Sequence, residues 1–282
     1  MEYKNIIMQF SDVHFSNEYR NIVLKSMLEF LEDVKKNKPK YVVLSGDYFD
    51  KRVENDDKLW IETIGLIIEI KKYCKHFIII KGTHSHDHFS LSILKEFQKI
   101  IPSLHYYDTL TIDEIEGDKW LLIPEEYPEN PSEYYKDIYN HKIDFIVGHG
   151  ELDGAILHSG IDNRKLKGWK FNVNLLETTG CKWSMWGHIH KPQSLSKNTF
   201  YAGSLSRLNF GEEEDKGYRI YSTENNKDTQ FVSLKSNEKF ITLDEEETNK
   251  FLNDPILLEE LKKEDVHVRF KGEKDSDALL TL

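Results

Sequence analysis

The chain has 282 residues, of which 39% are hydrophobic and 31% charged, and its formal net charge is -11. This balance fits one large globular domain, or one with a small appendage, and excludes disordered and fibrous classes. No apolar run is long enough to span a bilayer, the start (Met-Glu-Tyr-Lys-Asn) lacks a signal-peptide pattern, and Cys74 and Cys181 make no disulfide framework, so a reducing cytoplasm is the expected setting.

Ile6-Ile-Met-Gln-Phe10 reads as a buried strand that ends at Asp12. Val23, Met27, Phe30, Leu31 and Val34 recur at helical spacing and predict an amphipathic helix over 21–36, stopped by Pro39. Tyr41-Val-Val-Leu44 is a second strand, ending at Gly46-Asp47, and an apolar helix over 57–72 follows. Phe77-Ile-Ile-Ile80 is a third strand, ending at the turn Gly82-Thr-His-Ser-His-Asp87. Short apolar strands are expected at 119–123, 143–148 and 182–187. Strands alternating with helices predict an α/β layered domain. Three more strands are expected at Tyr218–Tyr221, Gln230–Leu234 and Phe240–Leu243. Asp254-Pro255 supplies an N-cap and a first-turn proline for a helix through Lys262, and Val266–Phe270 is the last strand. A boundary near residue 237 divides a domain of 1–236 from a small α+β cap of 237–282. The chain stops so soon after the last strand that a truncated cap is expected.

Chemistry collects at the strand ends. Asp12-Val-His14, Gly46-Asp47-Tyr-Phe-Asp50, the histidine-rich turn, Gly148-His149-Gly150 and Gly187-His-Ile-His190 each follow an apolar run. Asp12 and His14, two apart past a strand, can turn into one cleft, and Asp47 is placed to bridge two cations. With His149, His188 and His190 they form a set of two carboxylates and four imidazoles. Such mixed oxygen and nitrogen donors suit Mn²⁺ or Mg²⁺ in a two-metal hydrolytic centre. The glycines that precede three of these ligands permit sharp turns and close backbone approach.

The negative charge has the wrong sign for a nucleic-acid binder, but bound cations would place positive charge in the cleft itself. The acidic runs Glu212–Asp215 and Asp244–Glu247 read as solvated surface. Arg164-Lys-Leu-Lys-Gly-Trp-Lys170 mixes basic and aromatic residues; Arg164, Lys165, Lys167 and Lys170 are candidates for phosphate contact and Trp169 for base stacking, with Arg207 as a further cation. There is no Gly-x4-Gly-Lys-Ser/Thr pattern, so this chain is not itself expected to be an ATPase.

In order and spacing, the strand-end set resembles the calcineurin-like metallophosphoesterases. Within them, Gly187-His-Ile-His-Lys-Pro192, then Tyr201-Ala-Gly-Ser-Leu-Ser-Arg-Leu-Asn-Phe-Gly-Glu212 and Asp215-Lys-Gly-Tyr218, resemble the SbcD nuclease family of DNA break repair, and in overall size the shorter phage-type members. The likeness covers roughly residues 5–222 and implies a four-layer α/β/β/α sandwich holding two Mn²⁺ ions. Carried over by position, it puts Asp12, His14, Asp47 and His190 on the first ion and Asp47, His149 and His188 on the second. The family's Gly-Asn-His-Asp is here Gly-Thr-His-Ser-His-Asp, which leaves two registers open. In one, Ser85 takes the ligand position, His86 stands beside the leaving group and Asp87 orients it. In the other, Thr83 replaces asparagine and His84 is catalytic. The first keeps the following aspartate and is preferred. The resemblance further implies a Mn²⁺-dependent DNA exonuclease or endonuclease, a homodimer, and an SMC-like SbcC-type ATPase partner. The competing expectation is a phosphodiesterase or phosphatase acting on a small molecule or nucleotide, because one fold serves many substrates.

Overall fold

Alternation along single strands dictates the layering. In β2 (Pro39–Ser45) Tyr41 and Val43 enter one apolar core while Val42 and Leu44 enter another, and all four are fully buried. In β6 (Asp118–Ile123) Trp120 and Leu122 face the first of these cores and Leu121 and Ile123 a third. A strand with period two and apolar residues on both sides must be covered twice. Two sheets therefore stack face to face, each with helices or loops on its outer side.

The structure, a computed structural model, describes residues 2–53, 57–87, 90–157, 163–165, 167–212, 214–261 and 266–270. Its elements begin with β1 (Lys4–Phe10), α1 (Arg20–Asn37), β2, α2 (Asp57–Tyr73), β3 (His76–Ile80), α3 (Leu94–Ile100), β4 (Leu104–Tyr107), β5 (Thr111–Ile115) and β6. They continue with α4 (Pro131–Tyr134), β7 (Phe145–His149), α5 (Val173–Glu177), β8 (Trp183–Gly187), β9 (Gln193–Ser194), β10 (Thr199–Tyr201), β11 (Gly217–Ser222) and β12 (Thr229–Ser233). Last come β13 (Lys239–Leu243), α6 (Glu245–Asn253), α7 (Pro255–Leu261) and β14 (Val266–Phe270).

The first sheet runs β12-β11-β1-β2-β3-β4 and the second β5-β6-β7-β8-β10-β9. Both are mixed. The runs β1-β2-β3-β4 and β6-β7-β8-β10 are parallel; antiparallel β11 and β12 extend the first sheet on one side while parallel β4 ends the other, and antiparallel β5 and β9 close both edges of the second. Val23, Met27, Phe30 and Val34 of α1, with Ile67 and Ile70 of α2, cover the outer face of the first sheet. Tyr135, Ile138, Phe171 and Leu176 cover that of the second. The result is the α/β/β/α sandwich.

Register positions the site. Phe10 pairs with Leu44, Ser45 with Ile80, and His149 with Gly187, so the carboxyl ends of β1, β2, β3, β7 and β8 open at one edge, the place where α/β sheets bind ligands. The α1 helix runs one residue past each expected end and stops just before the pre-proline residue. Lys38 adopts a left-handed C-cap whose N–H donates to Val34 O at 2.8 Å, and Pro39 already begins β2.

Several elements carried no usable sequence signal, among them β4, β5, β9, β10, α3 and α5. The run Asp244–Glu247 is a correction: Asp244 caps α6 and Glu247 returns the bond in a capping box, so these acids begin a helix and are not merely solvated. Among the described residues, β13 pairs only with β14, in parallel. Glu238, buried just before β13, accepts from Lys25 Nζ at 2.6 Å and contacts His267 Nε2 at 2.5 Å, which ties α1 to β14. The predicted end of the last helix at Lys262 lies outside the described residues.

Candidate metal centre

Backbone bonds draw the strand-end loops together. The N–H of Asp12 donates to Gly46 O at 3.1 Å and that of Val13 to Asp47 O at 2.8 Å, locking the β1 loop onto the β2 loop. Among the described residues six non-glycine residues have positive φ, and four of them are Asp12, His14, Asp47 and His188. Such conformations are strained for side chains with a Cβ and persist where surrounding structure imposes them. Gly46 itself has φ +87, and a Cβ there would run into the His149 ring and the Gly82 backbone. The glycine lets the two sheets' loops touch.

One cluster comprises Asp12, His14 and His190. His190 Nδ1 bonds to Glu212 Oε1 at 3.0 Å, leaving Nε2 as a bare lone pair when the ring is neutral. That Nε2 faces His14 Nε2 at 2.9 Å. Burial, and then His190, push His14 down to about 4. Burial also opposes protonation of His190, but the bond to Glu212 outweighs it and raises its pKa. Glu212 in turn is held at about 2, because His190 and Lys216 overcome its burial.

A second cluster comprises Asp47, His149 and His188. His149 Nδ1 donates to Ser45 O at 2.7 Å, which aims Nε2 at Asp47 Oδ2, 3.2 Å away. Burial would raise the Asp47 carboxyl, but His149 beside it holds it well below the usual carboxylate range. Burial pulls His149 the other way, and Asp47 wins there too, raising it well above an ordinary histidine. The amide of His188 donates to both oxygens of Asp12, at 3.0 and 3.1 Å, linking this cluster to the first.

The 82–87 turn differs from its preferred reading. Ser85 is exposed. The hydroxyl that enters the centre is that of Thr83, 3.0 Å from Asp47 Oδ2 and 3.3 Å from His149 Nε2. The reason is the backbone: Thr83 N–H donates to Asp47 Oδ1 at 2.5 Å, and the N–H groups of His86 and Asp87 both close on Thr83 O, which turns residues 84 and 85 outward. Asp87 does not orient His86. It is fully buried and accepts from the N–H groups of Tyr48 (2.9 Å), Phe49 (3.2 Å) and Gly82 (2.8 Å), clamping the β2 and β3 loops. Burial and then Asp47 push it up to about 7. The His86 ring instead bonds through Nδ1 to the carbonyl of Asp50 and stands edge-on to His14, with centroids 4.9 Å apart. His84 is exposed and pairs with Arg52 at 3.0 Å.

The donor set fits divalent cations. Two imidazole nitrogens at 2.9 Å can share either a proton or a cation, and fully buried Asp12 with nearly buried Asp47 beside them supplies the negative charge that favours a cation. Thr83 enters through the second of the two registers that the sequence leaves open, and two residues outside the strand-end motifs belong here as well. Glu212 was hidden by its ordinary surroundings in sequence; it stands first in an acidic run yet is 5% exposed. Glu125 follows β6 and lies 3.9 Å from both His149 Nε2 and His188 Nδ1. The strand-end rule that picked out the other ligands points to it as well.

Residues 6–192 match the family model described as calcineurin-like phosphoesterase. The chain belongs to that family. This phosphoesterase is 27% identical over 223 residues to exonuclease subunit 1 of Enterobacteria phage T4, covering 76% of this chain and 61% of that protein. It is 25% identical over 244 residues to the D subunit of the SbcCD nuclease from Staphylococcus saprophyticus, covering 75% and 65%. A putative phosphoesterase of invertebrate iridescent virus 6 is 23% identical over 222 residues, covering 75% and 73%. The phosphoesterase thus spans less than two thirds of the length of the first two relatives. The solved structure of TT1561 from Thermus thermophilus shares the fold, with a TM-score of 0.51 at 13% identity, covering 81% of this chain and 99% of that one.

The basic candidates scatter. Trp169 is 40% exposed and stacks on Tyr135 at 6.1 Å, on the wall of a cavity of about 280 Å³ that also touches His149 and His188. Arg164 and Lys167 are exposed, and Lys170 Nζ lies 3.8 Å from Glu151. The Lys165 side chain lies outside the described residues. Arg207 is committed to the protein itself: its guanidinium donates to the carbonyls of Glu214 (2.9 Å) and Glu238 (3.4 Å) and braces the approach to β13. Among the described residues, no helix is long and apolar enough to cross a membrane.

Proposed function

We propose that this phosphoesterase is a Mn²⁺-dependent DNA nuclease that hydrolyses phosphodiester bonds at processed or broken ends. The observation that carries the reading is the junction of the two clusters through the Asp12–His188 bonds at the shared carboxyl edge of both sheets. Asp12, His14, Asp47 and His190 would hold one cation, and Asp47, Thr83, His149 and His188 the other. Bound there, the pair would supply water activation and charge neutralisation at phosphorus. The protein's own groups do the rest. Glu212 fixes the His190 tautomer and Ser45 O that of His149. Asp87 holds the β2 and β3 loops in register. His86, anchored through Nδ1–H on Asp50 O, would carry in its protonated, cationic form an Nε2–H that passes to the leaving oxygen and leaves the ring neutral.

Nuclease relatives support the choice of substrate, and the stacked Trp169 beside the second cluster gives an unpaired base somewhere to rest. Residues 1–236 would form the nuclease domain and 237–282 a cap. An SbcC-like ATPase would supply the clamping that an acidic surface lacks, with a second copy of this chain in the assembly. The acidic cavity wall, with Glu125, Glu126 and Glu151, favours one alternative, a phosphodiesterase acting on a small molecule or nucleotide. Purified protein with Mn²⁺ should degrade linear duplex or single-stranded DNA. Turnover of a chromogenic small diester with both DNAs left intact would assign the alternative instead.

A further inference from the structure

We infer that Glu125 is a ligand of the second cation and restores at that site the binding strength that Thr83 lacks. This rests on the two-cation reading above. A neutral hydroxyl is a weaker donor to a hard cation than a carboxamide oxygen, and ligand charge count tunes affinity strongly. Without Glu125 the second cluster holds a single carboxylate, Asp47, which it shares with the first.

The geometry of Glu125 is that of a waiting ligand. Its position is fixed from two sides: β6 pairs with β7 in parallel, with Ile123 opposite Gly148, and the Glu125 N–H donates across to Lys81 O, just past β3, at 3.3 Å. Tyr127 Oη donates to Oε1 at 2.9 Å and so orients the carboxylate. The other oxygen, Oε2, is buried and has no hydrogen-bond partner among the described residues. It points between His149 Nε2 and His188 Nδ1, 3.9 Å from each. Ligands about 2.1 Å from a shared octahedral ion stand roughly 3.0 to 4.2 Å apart, so both separations are of the right size. A buried carboxylate oxygen without a donor is unfavourable, and a cation at this point removes the penalty. With Glu125 included, each ion faces two carboxylates: Asp12 and Asp47 on one side, Asp47 and Glu125 on the other.

The test is Mn²⁺ binding by calorimetry together with the spin-coupled signal of a manganese pair by electron paramagnetic resonance. Wild type should bind two ions. Glu125→Gln, with thermal unfolding confirming its fold, should keep one at wild-type affinity and bind the other at least about tenfold more weakly, with the pair signal replaced by that of isolated ions. Adding Thr83→Asn to Glu125→Gln supplies the carboxamide and should recover much of the second affinity. Two ions at wild-type affinity in Glu125→Gln would overturn the assignment while leaving the two-cation reading intact. Wild type that binds fewer than two would overturn both.

Discussion

Two pairs of imidazoles face each other across this molecule at nearly equal range, His14 with His190 at 2.9 Å and His76 with His105 at 3.1 Å. Their surroundings separate them. The first pair sits at the carboxyl ends of the strands with Asp12 beside it, and the only cations described around Asp12 and Asp47 are imidazoles. The second pair sits at the starts of β3 and β4, where the neighbouring acids already have partners: Glu116 pairs with Lys75 at 2.7 Å and Asp118 with Lys40 at 2.9 Å. Close histidines alone do not make a metal site. What converts them is carboxylate that no lysine or arginine neutralises.

Perturbing each pair should have opposite consequences. The largest effect is expected from Asp47→Asn, which takes charge from both clusters. Metal content by elemental analysis should fall below two, and turnover should drop by about a thousandfold or more. His86→Gln should lower turnover by about a hundredfold or more with both ions retained; loss of metal along with rate would make His86 a ligand and not a proton donor. Glu212→Gln leaves every ligand in place but loosens the His190 tautomer, so Mn²⁺ affinity should weaken by about ten- to a hundredfold. Replacing His76 and His105 together by leucine should change neither metal content nor rate.

The second pair should instead be visible in stability. Burial, and then His76, push His105 down to about 4, and burial lowers His76 as well. An unfolded histidine titrates near 6.5, so between pH 6.5 and about 4 the unfolded chain binds more protons than the native one. Stability should fall as pH drops through that window and level off below it. His105→Leu should flatten the fall by on the order of 2 kcal/mol in urea unfolding; an unchanged pH profile would contradict the assignment.

The same contrast explains what was readable in the sequence. Asp12, Asp47, His149, His188 and His190 announced themselves because each ends an apolar run, and a strand end is a local signal. The layering was equally legible in Tyr41-Val-Val-Leu44, where alternate residues must find two cores. Glu212 was not legible, because its role depends on a contact with His190 that its acidic run does not announce; Glu125 also ends an apolar run and Thr83 stood in one of the two open registers, so each was within reach of the strand-end signal. Asp87 shows the limit most sharply. Proximity in sequence suggested that it orients His86, yet three backbone N–H groups from two loops claim its carboxylate. Short strands such as β9, at the sheet edge, and β10 beside it lack the length for a periodic signal, and α6 was masked by a run of acids that serves as its cap.

A crystal soaked in Mn²⁺ and measured at the manganese absorption edge puts the central claim to trial. Two anomalous peaks about 3.5–4 Å apart are expected, one among Asp12, His14 and His190 and the other among Asp47, His149 and His188. Absence of density at both positions under saturating manganese would contradict it.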